Sequence, residues 1–297
     1  MVTRFLFYRN LLKRNLQLPT SQWTVRLALG FLLTVAALAQ DPREIFRRSV
    51  EKDQTNRGLR QQYTYLEKEV TKEFDKSGKV KSTVSTVRDV SILYGHQFSR
   101  LIEKDGKPLS AKDAQKEKER LEKFTAKWEH ETPEDRQKRR ALREKNRQKN
   151  DAFLKEITEA YDLRLLGDEK VAGQDTWVIQ AEPHPGYRPK LDGAKYFAKV
   201  HGKVWIDKAT YQWVKADAES IDTISFGLVL FRLGKGARLQ FEETRVNDEI
   251  WMPKLQHITA GARVGIFYKA SIDQVVTFEN YRKFQSDSRV VSTEEKP

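Results

Sequence analysis

Gly202-Lys203-Val204-Trp205-Ile206-Asp207-Lys208-Ala209-Thr210-Tyr211-Gln212-Trp213-Val214-Lys215 reads as strand, turn, strand. β-branched and aromatic residues crowd both arms, and Asp207-Lys208-Ala209-Thr210 interrupts them with turn formers. The same rhythm fills the chain from Asp162 to its end. Strand-like runs cover 163–170, 177–182, 203–207, 212–221, 228–233, 237–246, 250–260, 264–271 and 271–284. Val171-Ala172-Gly173-Gln174-Asp175, Gly234-Lys235-Gly236 and Asn247-Asp248 mark further turns. Consecutive strands with short turns predict an antiparallel meander and leave no room for crossover helices. Strict alternation places Tyr211, Trp213 and Lys215 on one face and Val214, Ala216 and Ala218 on the other. If the Val/Ala face looks inward, its small side chains leave space for a ligand.

Upstream the pattern changes three times. Residues 42–56 predict a helix: Asp41-Pro42 is a cap followed by a first-turn proline, and Ile45, Phe46, Val50 and Leu59 form an apolar stripe suited to packing on a sheet. Residues 61–102 predict a hairpin around Asp75-Lys76-Ser77-Gly78-Lys79, with a third short segment at 98–103. Residues 110–160 predict a charged helical insert of two helices, opened by Ser110 and by Thr132-Pro133-Glu134-Asp135. Leu121, Phe124 and Trp128 are the apolar points of the first helix; Phe153, Leu154, Ile157 and Tyr161 restore an apolar face at the end of the second. The middle is too polar to bury and suits either a solvent-exposed arm or a partly disordered segment.

The first forty residues contain Arg4, Arg9, Lys13, Arg14 and Arg26 and no acidic residue. An apolar run from Leu27 to Ala37 follows, then Ala37-Leu38-Ala39. A basic start, an apolar middle and a small-x-small exit are the parts of a secretory signal, with cleavage expected after Ala39. The apolar run is shorter than the ~20 residues that span a bilayer. The expected layout is therefore a signal at 1–39, one domain at 40–285 and a polar tail at 286–297. The chain has no cysteine, which excludes disulfides, thiolate metal sites, a cysteine nucleophile and an acylated amino-terminal cysteine. Its net charge is +13, and 107–156 holds 16 Lys or Arg against 11 Asp or Glu. Export removes nucleic acid from the expected partners of so basic a chain and makes an anionic membrane surface the natural counter-charge. A solvated helical face with no partner explains the same charge.

A helix after the signal, a hairpin, a helical segment and then the Trp-Ile-Asp strand and its meander resemble the LolA/LolB-like group of bacterial periplasmic proteins. That group includes the outer-membrane lipoprotein-sorting proteins and the sensor domain of the RseB/MucB regulators. Residues 203–207 and 212–218 fit its short "G-x-(V/L)-W-I-D" strand, turn and following strand, and Val171-Ala172-Gly173-Gln174-Asp175-Thr176-Trp177-Val178-Ile179 fits the strand before it. The resemblance covers about 41–105 and 160–285 and leaves out the charged insert. It implies an α+β fold: a strongly curved antiparallel sheet, a half-barrel, with helices packed in its concave side. It also implies a periplasmic carrier or sensor of a hydrophobic ligand, either lipid or the acyl chain of a lipoprotein. The sorting proteins use an arginine inside the cavity, which the sequence does not align here.

A lipid cavity needs a continuous apolar lining. Trp177, Trp205, Trp213, Phe226, Phe231 and Phe241 are the candidate ligand-binding residues, with Trp251 and Phe267 near them in sequence. Ordinary core packing explains the same aromatics. The five histidines, His96, His130, His184, His201 and His257, have no metal-ligand spacing. Pro183-His184-Pro185-Gly186-Tyr187-Arg188-Pro189 is a stiff loop that either connects strands or meets a partner. No Gly-x-Ser-x-Gly and no phosphate-binding glycine loop occurs. The sequence therefore points to no catalytic residue, no cofactor and no metal. Two other readings stay open: an interaction protein that docks a partner or membrane through the basic insert, and a hydrolase whose site the sequence does not reveal.

Overall fold

A computed structural model describes residues 40–226, 231–264 and 268–284. The expected signal, its cleavage point and the polar tail lie outside the described residues. The chain divides into two units, Met1–Gln40 and Asp41–Pro297, and all the described helices and strands belong to the second.

The fold is α+β, with a curved, open antiparallel sheet. Strands β1 (Tyr63–Phe74), β2 (Val80–Leu93), β3 (His96–Lys104) and β4 (Lys107–Pro108) precede the helical insert; β5 (Tyr161–Val171), β6 (Gln174–Pro183), β7 (Val200–Asp207), β8 (Trp213–Ser220), β9 (Ile224–Phe226), β10 (Phe231–Leu233), β11 (Arg238–Val246), β12 (Ile250–Val264) and β13 (Tyr268–Lys283) follow it. The spatial order is β4-β3-β2-β1-β13-β12-β11-β8-β7-β6-β5, with β9 and β10 branching from β12. The expected meander is thus one half of the sheet. The amino-terminal hairpin extends it by pairing β1 with β13, Glu69 opposite Val276. Six strand pairs carry a register shift among the described residues. An extra residue bends the bulged strand and strengthens its twist, which gives a local cause for the curvature.

Three expectations are corrected. The runs 264–271 and 271–284 do not meet at a turn: Ser271 lies within β13, opposite Gly261 on one side and Phe74 on the other. Residues Asp192–Lys199 form a 3-10 helix, where the sequence pattern suggested nothing regular. Strict alternation fails at β8. Ile206 faces Trp213 and Trp205 faces Lys215, so Val214 is the extra residue of a bulge. Trp213 therefore shares the face of Ile206, whereas Lys215 lies over the Trp205 ring on the opposite face, 4.9 Å from its centroid. Ala216 faces Val204 and so lies on the same side as Trp213, not across from it.

Helix α1 (Pro42–Arg60) starts as the sequence predicts, with the Asp41 carboxylate accepting from the Arg43 N–H at 2.9 Å. Its buried stripe of Ile45, Phe46 and Val50 packs on Trp177, Ile179, Val204 and Ile206. Alternate residues of β6 and β7 thus meet the helix, as period 2 demands. Leu59 falls outside the stripe and is 40% exposed. Polar side chains fix the helix in register. Ser49 Oγ accepts the Trp213 Nε1–H at 2.9 Å. Asn56 Nδ2 donates to the Trp251 carbonyl at 2.8 Å, and its Oδ1 accepts the Trp251 N–H at 3.2 Å.

The insert is ordered helix: α2 (Ala111–Glu129), capped by Ser110, and α3 (Pro133–Ala160), capped by Thr132. Helix α2 buries no residue completely, yet Phe124 lies 4.8 Å from the Phe98 ring on β3. The end of α3 carries Leu154 and Ile157 into the core under α1, and Phe153 against Phe197 of the 3-10 helix.

Candidate functional site

Two adjoining hollows lie between the sheet and the helices. The smaller, about 210 Å³, is lined by Val50, Asp53, Arg60, Leu154, Trp213, Phe241 and Glu243. Its walls come from α1, α3, β8 and β11. Phe241 faces Ala216 across the β8–β11 ladder, and that small partner leaves the space its ring borders. At the hollow's edge, Glu243 is buried and ion-paired with Arg60, whose Nε also donates to the Trp251 carbonyl at 2.9 Å. Burial pushes the Glu243 carboxyl up to about 7; the Arg60 charge acts in the opposite direction, and Asp53 raises it further.

The larger hollow, about 900 Å³, opens between the end of α1, the β2–β3 turn, α2 and α3. Gly95, His96 and Gln97 form one wall, Phe124 and Trp128 a second, and Arg140, Arg143, Glu144, Arg147 and Asp151 a third. Tyr94 and Gly95 both adopt positive φ, 51° and 73°, which sets a tight turn and aims His96 at α2. The His96 imidazole stacks on the Trp128 indole, centroids 3.6 Å apart and planes 19° from parallel. Arg143 Nη2 lies 3.1 Å from His96 Nδ1. Asp53 lines the small hollow and Arg57 the large one, and the two are ion-paired at 3.0 Å, so the two linings touch.

Of the six aromatic candidates, Trp213 and Phe241 come together in the small hollow. Trp177 belongs to the same face but sits in the packed core, 5.1 Å from the Tyr211 ring. Trp205 stands on the opposite face, where its Nε1–H donates to Glu169 at 2.7 Å. The side chains of Phe226 and Phe231 lie outside the described residues, as does Phe267; the Phe226 and Phe231 backbones pair with each other in the β9–β10 hairpin. The residues that sequence reasoning missed are Arg60, Glu243 and the arginine row of α3. Glu243 sat in a plain acidic pair, and the arginines are lost in a uniformly charged helix; only the fold shows which of them line a hollow.

The proline-rich loop is fastened to α3. Tyr187 Oη donates to Glu156 at 2.5 Å, and the Lys190 N–H does the same. Among the described residues, no group of three or more His, Asp or Glu is placed to hold a metal ion.

No family model matches the sequence, and no curated protein matches it. Solved structures do. A DUF1329 family protein from Desulfovibrio piger is 14% identical with a TM-score of 0.29, covering 84% of this chain and 95% of that one. A putative outer membrane lipoprotein-sorting protein domain from Vibrio parahaemolyticus is 13% identical with a TM-score of 0.28, covering 82% and 95%. A LolA superfamily protein from Nitrosomonas europaea is 10% identical with a TM-score of 0.30, covering 82% and 93%.

Proposed function

We propose that this protein is a non-enzymatic periplasmic carrier or sensor of a hydrophobic ligand, a lipid or the acyl part of a lipoprotein. The observation that carries the reading is the hollow in which Trp213 and Phe241 meet Val50 and Leu154 beneath two helices without closing into solid core. Protein interiors are close-packed, so an apolar-sided space next to a larger cleft is an exception with a use. The larger cleft, at about 900 Å³, falls within the roughly 300–1,000 Å³ of small-molecule sites. The export signal expected at 1–39 supports a periplasmic setting, and the resemblance to the lipoprotein-sorting group supports an acyl chain as the ligand. An anionic membrane surface is the partner that the basic α3 suits.

The test is to express the chain with its own leader, purify it without detergent and analyse an organic extract by mass spectrometry. Lipid is expected in near-stoichiometric amount. Leu154→Trp, which fills the small hollow from α3, is expected to lower that yield while the fold is retained. An empty extract, together with no uptake of a fluorescent fatty acid in solution, would falsify the reading.

A further inference from the structure

The larger cleft has more hydrogen-bond donors than acceptors, and the excess has a definite chemistry. Arg147 is paired with Glu144 at 2.8 Å and Arg57 with Asp53 at 3.0 Å. Arg140 and Arg143 have no carboxylate within salt-bridge distance among the described residues. Arg143 points instead at His96 Nδ1. A guanidinium only donates, so Nδ1 must be the acceptor, and the neutral ring carries its proton on Nε2. Burial, with Arg139 and Arg143 close by, holds the His96 pKa below its ordinary value, which agrees with a neutral ring. His96 Nε2 is buried without a partner, and so is Trp128 Nε1. Two guanidinium groups with no carboxylate partner thus line the cleft, next to a His96–Trp128 stack with two N–H donors that find no acceptor. Buried donors without acceptors are rare in proteins, and each asks for a partner.

We propose that this cleft, built by the insert against the β2–β3 turn, takes the oxyanion head of an anionic amphiphile, with Arg140 and Arg143 as the recognising residues. Forked guanidinium groups match the oxygens of phosphate and carboxylate, and the Phe124–Trp128 wall offers an apolar side to the atoms next to the head. The inference rests on the carrier reading for the apolar part of the ligand, which the adjoining Trp213–Phe241 hollow takes. It assigns the charged insert, which the sequence shows only as a polar arm, to headgroup selection.

Titration calorimetry on the exported, delipidated chain tests it with three probes below their micelle concentrations: dodecyl phosphate, neutral dodecyl maltoside and inorganic phosphate. Dodecyl phosphate is expected to bind at least about tenfold more tightly than the maltoside, with affinity falling as salt rises. Arg140→Gln with Arg143→Gln, both at exposed positions, is expected to abolish that preference by bringing dodecyl phosphate down to the affinity of the maltoside, with the folded circular dichroism spectrum retained. Equal binding of the two amphiphiles, unaltered in the double variant, overturns headgroup selection and leaves the carrier reading standing. Inorganic phosphate binding that depends on both arginines, with neither amphiphile bound, overturns the carrier reading and makes the cleft a site for the free oxyanion. No binding of any probe overturns both.

Discussion

Gly202 opens the Trp-Ile-Asp motif, and its own contacts explain why it is glycine. A Cβ there would lie 2.5 Å from the Asp217 carbonyl oxygen and 3.0 Å from Ala218 Cα on the neighbouring strand. Those atoms are backbone and cannot swing aside. Gly202→Ala is expected to destabilise the protein by about 1–3 kcal/mol, measured as a lower urea midpoint at unchanged slope. Ala172 presents the opposite case. With Gly173 it forms the two-residue turn between β5 and β6, and both have positive φ, 49° and 85°. Alanine is strained there, whereas asparagine tolerates the left-handed region. Ala172→Asn is expected to raise stability by about 0.5–1 kcal/mol, read as a higher Tm; no rise would mean that the turn is set by its strands. Asp207, the last residue of the Trp-Ile-Asp strand, is explained locally as well. Its carboxylate accepts from the Thr210 N–H at 2.7 Å and from the Thr210 hydroxyl at 2.6 Å, closing the turn to β8. That role was legible in the Asp-Lys-Ala-Thr spelling. The placement of Trp205 and Trp213 on opposite faces was not, because it depends on the pairing of β7 with β8 and on its bulge.

Helix α1 was legible from its cap and stripe, but not the means by which it holds the sheet. Asn56 acts as a short stretch of extra strand, satisfying both the N–H and the carbonyl of Trp251. Leucine in its place fills the volume and leaves the buried Trp251 N–H without its Asn56 acceptor, while Arg60 Nε still serves the carbonyl. Asn56→Leu is expected to cost about 1–3 kcal/mol, and amide exchange at Trp251 should rise more than at β1. The insert repeats the point. Its charge suggested an arm held in water, and most of α2 is indeed exposed. Three aromatic points, Phe124 and Trp128 on the helix and Phe98 beneath, nevertheless seat it on β3. A double-mutant cycle between Phe98→Leu and Phe124→Leu is expected to show a coupling of about 0.5–1.5 kcal/mol; zero coupling would place α2 off the sheet in solution. Sparse apolar points in a charged helix are enough to dock it where a partner ring already waits, which no period counted along the helix alone reports.

For the molecule taken whole, the buried Arg60–Glu243 pair makes stability depend on pH. The Glu243 carboxyl stands at about 7 in the folded protein, above the ordinary glutamate value of 4.5. Below about pH 4.5 both states hold the proton. As pH rises from there to about 7, the unfolded chain loses the proton first, so this group's contribution to folding falls by on the order of 3 kcal/mol. Glu243→Gln is expected to flatten the decline of Tm with pH across that window; an unchanged profile would assign the decline to other groups. Sequence alone determined most of the strands and turns, the helix starts and the antiparallel class, because these follow from side-chain period, capping and backbone sterics over a few residues. It also determined which aromatics were available to line a cavity. Only the tertiary structure decided that β1 closes onto β13, that the bulge at Val214 puts Trp213 on the face of Ile206, and that Arg60, Glu243, Arg140 and Arg143 line hollows. Those outcomes depend on which distant segments pair and in what register, and a local pattern carries no record of its distant partner.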